Sequence, residues 1–184
     1  MGFRRKSSGA SSKFCAWFYL IQILEKTEKL VYYRKNGKLI GIAGYSKNNS
    51  KKYILRKKLC GLIIKRMYRS HKIKNLKAFM EYQHDYDYVP DSMKDYFDGE
   101  LLILIVDDSY RGKGIGKKLL TQIFELAKND KMKNIQILTD DSCNYAVYEK
   151  LGCKRIYETI IENKEYASNR ITTEEVYIYE KKLN

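Results

Sequence analysis

The sequence predicts an α/β (α+β) fold, a sheet of mixed strand direction flanked by helices, and three observations carry that prediction. Leu101 to Val106 is an uninterrupted apolar run of strand length that enters a glycine-rich loop and then a helical pattern with Ile115, Leu119, Ile123, Leu126 and Ala127 on one side. Asn36-Gly37 separates two strand-like stretches, Leu30 to Arg34 and Lys38 to Tyr45. Asn-Gly suits a type I′ hairpin turn, in which both central residues take positive φ. Finally, the second half reads strand, helix, strand, short helix, strand, strand, an alternation that builds a sheet with helices packed on it.

Taken in order, the apolar spacing from Lys13 to Lys26 predicts a first helix, and the hairpin follows it. Residues 50–68 read as a basic helix with Leu55, Leu59, Leu62, Ile63 and Arg66 along one side. A further helix is expected over about 73–86, where Leu76, Phe79, Met80 and Gln83 recur at similar spacing. Pro90 ends it, and Asp91 is placed to cap a short helix to Phe97. After the central strand and the helix from Ile115, Asn134 to Thr139 is a strand and residues 144–151 a short helix stopped by Gly152. Strands from Cys153 to Ile161 and from Glu175 to Lys182 close the pattern. Neither a repeat nor a linker interrupts the 184 residues, so a single domain over 1–184 is expected, with a helical insertion at about 47–99.

Composition narrows the class. The four cysteines, Cys15, Cys60, Cys143 and Cys153, lack metal-ligand spacing and are too sparse for a disulfide scaffold, which points to a reducing, cytoplasmic setting without a metal. The formal charge of +14 would suit an anionic partner, but it is uneven. Residues 51–77 hold eleven Lys/Arg and no acid, whereas residues 81–100 hold seven acids and one lysine. The abundance of Lys, Ile, Asn and Tyr together accounts for the average, and neither a nucleic-acid nor a membrane partner is expected. The basic N-terminus and the apolar run Phe14 to Leu24 do not make a signal peptide, because Gln22 interrupts the run and no small-residue cleavage site follows.

The chemistry starts at Arg111-Gly112-Lys113-Gly114-Ile115-Gly116, between a strand and a helix. Glycines let a backbone approach a ligand closely, and a helix N-terminus offers unsatisfied amides and positive partial charge to a phosphate. A Walker loop is excluded, since Gly116-Lys117 lacks a glycine at 111 and Lys118 is neither Ser nor Thr. The dinucleotide fingerprint fails because Gly112 and Gly114 are followed by Lys117 where the third glycine belongs. A glycine turn that merely packs helix on strand is the competing reading.

With Arg111, Gly114 and Gly116 fitting an Arg/Gln-x-x-Gly-x-Gly/Ala loop, and with Asn144-Tyr145-Ala146-Val147-Tyr148-Glu149-Lys150-Leu151-Gly152-Cys153 about thirty residues on, the chain resembles the GCN5-related N-acetyltransferase (GNAT) superfamily. The resemblance covers residues 98–162, extends to the hairpin and the last strand, and departs from the family where Cys153 replaces the common aromatic. It implies a splayed sheet and acetyl-CoA as co-substrate. Arg111, Gly112, Lys113, Gly114, Ile115 and Gly116 would hold the pyrophosphate, the backbone of Leu104 and Val106 would bond the pantetheine, and an amide near Ile105 or Val106 would polarise the thioester carbonyl. Asn144 would bond the pantetheine or cap its helix. By the same resemblance Tyr148 is the general acid for the departing thiolate and Glu100 the base, directly or through water.

Strand alternation places Glu100, Leu102, Leu104 and Val106 on one face. His71 and His84 are the only histidines; His84 lies in the acidic helix, where a surface position is a simpler reading than a part in catalysis. The acceptor expected is a small cationic amine, drawn by the acids and tyrosines of residues 81–98, which would help form its pocket, with Glu81, Asp85 and Asp87 the acids to neutralise in a test. A protein acceptor, a homodimer, a silent acetyl-CoA sensor and a basic surface-binding protein stay open.

Overall fold

The computed structural model describes residues 9–50, 53–69, 76–93, 95–165 and 170–183. Helix α1 (Gly9–Lys26) leads to the hairpin β1 (Lys29–Lys35) and β2 (Lys38–Lys47), then to α2 (Ile54–Arg69), α3 (Leu76–Tyr86) and a 3₁₀ turn at Asp91–Met93. Strand β3 (Gly99–Val106), a 3₁₀ turn at Asp108–Tyr110 and helix α4 (Ile115–Asn129) follow. Strand β4 (Asn134–Asp140), helix α5 (Ala146–Lys150) and strands β5 (Lys154–Glu165) and β6 (Arg170–Lys182) complete the chain. The six strands form one sheet in the order β1-β2-β3-β4-β6-β5. Only β3 and β4 run parallel; every other pair is antiparallel.

The hairpin turn forms as predicted, with Asn36 at φ 49° and Gly37 at φ 75°. Two segments differ from expectation for identifiable reasons. The helix expected from Asp91 to Phe97 is a single 3₁₀ turn. Asn134 claims the backbone beyond it, donating from Nδ2 to the Tyr96 carbonyl and accepting at Oδ1 from the Asp98 amide, both at 3.1 Å. Strand β6 begins at Arg170, well before Glu175, because residues up to Glu175 pair with β5 alone while β4 pairs with β6 only as far as Val176. The added residues, Arg170-Ile171-Thr172-Thr173-Glu174, carry no apolar alternation, so nothing in the sequence marks them as strand.

The largest core lies between the sheet and α4. Tyr45, Ala43, Leu101, Ile135, Ile137 and Tyr179 pack there against Ile115, Leu119, Leu120, Ile123, Phe124 and Ala127. Each fully buried Leu or Ile in such a layer stabilises the fold by about 1.5–3 kcal/mol. A second cluster surrounds Phe18 of α1 and draws in Tyr19, Ile64, Met67 and Met80, tying the inserted helices α2 and α3 to α1. Tyr86, at the end of α3, is buried with Ile161 and Val176 and donates to Asp140 at 2.7 Å.

Two irregularities in β3 shape what lies around it. Its register with β2 sets Gly44 opposite Ile103 and Tyr45 opposite Leu101, so Leu102 is skipped as a β-bulge. Residues opposed in an antiparallel pair share a face. Glu100, Ile103 and Ile105 therefore lie with Ser46, Gly44 and Ile42, while Leu101, Leu104 and Val106 lie with Tyr45, Ala43 and Gly41 on the α4 side. The expectation that Glu100, Leu102, Leu104 and Val106 share one face is thus corrected: the bulge resets the alternation. The second irregularity is the splay. Strand β3 pairs with β4 only at Glu100↔Gln136 and Leu101↔Ile137, and from there the two strands diverge. Ile105, inside a run that reads as wholly buried, is consequently 48% exposed.

Candidate active site

Where β3 leaves β4, the backbone of Leu102 to Val106 has no ladder partner on that side. Such an edge can hydrogen-bond an extended ligand as a further strand would. The wedge is a cleft of about 220 Å³ whose lining includes Glu100 through Ile105, with Thr139, Cys143 and Tyr148 on the β4 and α5 side and Tyr19, Tyr86 and Asp87 above. Val106 is not in this lining; its side chain faces the α4 core.

A second cavity of about 260 Å³ adjoins the first. It is walled by α1 through Gln22, Glu25 and Lys26, and by the inserted helices through Ile64, Met80, Gln83 and His84. Tyr19, Asp87, Glu100 and Leu102 line both cavities. The boundary between the two spaces is therefore made of a carboxylate pair, a phenol and the bulged leucine.

Gly99 sets Glu100 at this boundary. A Cβ on Gly99 would collide with the Ser46 carbonyl oxygen and would lie 2.6 Å from Met132 Cε, so only glycine lets β3 begin this close to β2. Burial pushes the Glu100 carboxyl up to about 7; Lys26 opposes that rise and Asp87 adds to it. Asp87, at the rim, is also raised by burial, with Lys26 and His84 pulling it down. Tyr19 is raised by burial and then by the charges of Asp87 and Glu100. Tyr148 is buried, and burial, followed by the Cys143 and Cys153 thiols, holds its phenol above the usual tyrosine range against a hydrogen bond with Thr139. It therefore keeps its proton at neutral pH.

At the far end of β3 the loop turns on Gly112 (φ 75°) and Gly114 (φ 76°), the latter in the N-cap position of α4. The first amide to bond inside the helix is that of Lys118, to the Gly114 carbonyl at 3.0 Å. The amides of Ile115, Gly116 and Lys117 precede it and point out of the helix end. A Cβ at Gly112 or Gly114 would meet nothing within 4 Å, and one at Gly116 only Val106 Cγ2 at 3.8 Å. Packing does not demand glycine at 116, and the surface in front of the loop is clear. The loop's cations are engaged locally: Arg111 pairs with Asp108 at 2.7 Å, and Lys113 donates to the Ser109 carbonyl at 3.0 Å. The Ile115 side chain is buried in the core, so only its backbone faces the loop.

The structure thus brings Glu100, Leu104, Ile105 and Tyr148 to one cleft. Asn144 is exposed before α5, and its capping alternative is not realised, because Tyr145 holds the cap position. Of the acids expected near the acceptor, Asp87 lines both cavities, whereas Glu81 and Asp85 are exposed and line neither. His84 borders the second cavity and lies 3.5 Å from Asp85; His71 lies outside the described residues. Sequence reasoning missed Tyr19, Glu25, Lys26 and Cys143. Their only signal was helical spacing in α1 and one thiol near Tyr148, neither of which marks a site. Among the described residues, no group of three His, Cys, Asp or Glu is arranged to hold a metal ion.

Residues 74–153 match the model of the acetyltransferase (GNAT) family. No curated protein matches the chain. Several solved structures share its fold. An acetyltransferase crystal structure is 16% identical with a TM-score of 0.54, over 97% of this chain and 83% of that one. The structure of yncA from Salmonella typhimurium with its cofactor acetyl-CoA is 14% identical with a TM-score of 0.52, over 98% and 76% of the two chains. An N-acetyltransferase from Staphylococcus aureus Mu50 is 19% identical with a TM-score of 0.51, over 92% and 74%. At these identities the likeness is one of fold.

Proposed function

We propose that this chain is a GNAT-family acetyltransferase that moves the acetyl group of acetyl-CoA directly onto a small, positively charged primary amine. The observation that carries the proposal is Glu100, which stands between two adjoining cavities with its carboxyl pushed up to about 7. A base poised near neutrality between the wedge and a second pocket is what direct transfer to an amine needs.

The residues fit acetyl-CoA. The outward amides at Ile115, Gly116 and Lys117 suit the pyrophosphate, with open space in front of Gly112 and Gly114. The free edge of β3 at Leu104 and Val106 suits the pantetheine amides, because Ile105 and Asp107 turn their backbone groups to β2, and the Val106 amide would face the thioester oxygen. Glu100 takes a proton from the ammonium so that the nitrogen lone pair can attack the acetyl carbon. As the C–N bond forms and the C–S bond breaks, Tyr148 gives its proton to the sulfur, and the second proton that the nitrogen sheds on becoming an amide is returned to the phenolate through solvent. A thiol with an ordinary pKa of about 8.5 leaves more readily when a donor is in place.

The second cavity is the acceptor side. Among the described residues its carboxylates, Glu25, Asp87 and Glu100, outnumber its one permanent cation, Lys26. That balance favours a cationic substrate, and the Tyr19 ring at the boundary can contribute a cation–π contact. The test is thiol release from acetyl-CoA in the presence of an acceptor amine. Glu100→Gln should slow it by about 10²–10⁴-fold at saturating substrates; full activity in that variant would remove Glu100 from the mechanism.

A further inference from the structure

Helix α2 turns its apolar stripe away from the protein. Its inward side is fixed by buried Cys60, by Ile64 and Met67 against Phe18, and by Arg56 donating to the Thr27 carbonyl. At about 3.6 residues per turn, the opposite arc runs through Lys65, Lys58, Arg69, Leu62, Leu55, Arg66 and Leu59. Leu55 is 82% exposed, Leu62 66% and Leu59 58%. A helix of a globular domain ordinarily buries such a stripe. Here it faces solvent, interleaved with four exposed cations and with no acid between residues 53 and 69.

We propose that the outer face of α2 docks on an anionic lipid bilayer. The helix would lie in the headgroup plane with Leu55, Leu59 and Leu62 inserted and Lys58, Lys65, Arg66 and Arg69 against the lipid phosphates. Charge complementarity selects this occupant. A second copy of the chain, packed through the same face, would set these cations against themselves across a two-fold axis. A nucleic acid would satisfy the cations and leave the leucines in water. No described helix is long and apolar enough to cross a membrane, so the contact is one of surface adsorption. It reverses the expectation of no membrane partner, because the sequence pattern does not reveal which side of α2 meets the protein. Ile64, on the inner side, lines the cavity beside Glu100, so the acceptor pocket lies one helix thickness from the docking face.

The test is flotation of the full chain with vesicles of phosphatidylcholine and of phosphatidylcholine mixed with phosphatidylserine. The chain should float with the mixed vesicles and not with the neutral ones. Leu59→Glu with Leu62→Glu, and separately Lys58→Glu with Arg66→Glu, should each reduce that partitioning by on the order of tenfold or more. These side chains are exposed, and an unchanged unfolding midpoint would establish that both variants fold. Three results would overturn the proposal: no flotation with mixed vesicles, flotation that the leucine pair leaves unchanged, or a dimer in solution that the leucine pair splits while vesicles bind nothing.

Discussion

Glu100 is enclosed by residues that a strand-entrance glutamate would not show in sequence, and two consequences follow from its raised carboxyl. In catalysis the free base is needed, so kcat/KM should rise with pH through about 7 and the Glu100→Gln variant should lack that limb. The amine's own ionisation, near 10 for an alkyl ammonium, lies well above it. In stability the sign is opposite. An unfolded glutamate ionises at about 4.3, so between there and about 7 the native state holds a proton the unfolded chain has released. Stability from this group is therefore lost as pH rises through that window. Glu100→Gln should raise the unfolding midpoint above pH 7 and change it little near pH 4; a shift independent of pH would contradict the assignment. For Tyr148, a Phe variant should lose turnover by about 10²–10⁴-fold while acetyl-CoA affinity, read by calorimetry, stays intact. A fully active Phe variant would reduce Tyr148 to a packing residue of the core it adjoins.

The glycine loop and the hairpin were legible because their signals are local. Asn36-Gly37 takes the positive φ that its sequence predicts, and Gly112 and Gly114 take the positive φ that glycine permits at no cost. The bulge in β3 was not legible, since Leu101 and Leu102 are the same residue type and nothing in the run marks which one is skipped. Gly116 separates packing from binding. Its Cβ would touch only Val106, so Gly116→Ala should leave the fold unharmed, or stabilise it by up to about 1 kcal/mol, while weakening acetyl-CoA binding. Gly114→Ala should instead cost about 1–2 kcal/mol of stability, because φ 76° is strained for any side chain. Unchanged acetyl-CoA affinity in a folded Gly116→Val variant would end the loop assignment. In the acceptor cavity, neutralising Asp87 and Glu25 should raise the acceptor KM with acetyl-CoA affinity unchanged. Neutralising Glu81 and Asp85, which line neither cavity, should not.

At the scale of the molecule, the candidate centre gathers Tyr19 from α1, Asp87 beyond α3, Glu100 from β3 and Tyr148 from α5. Periodicity could indicate each of those elements, but not that α1 and the inserted helices close over the wedge, because that depends on packing around Phe18. The splay itself has a plain cause in the register: two paired positions hold β3 to β4, and the remainder of β3 is free to accept a ligand along its edge. The account's central claim is acetyl transfer from acetyl-CoA to a cationic amine at that edge. Mass spectrometry of an amine library incubated with acetyl-CoA and the protein tests it most directly. The account predicts that one or more small cationic amines gain a single acetyl group, with thiol released in equal amount and the gain lost in the Glu100→Gln variant. No acetylated amine from a protein that binds acetyl-CoA tightly would contradict it and leave a binding protein on the same fold.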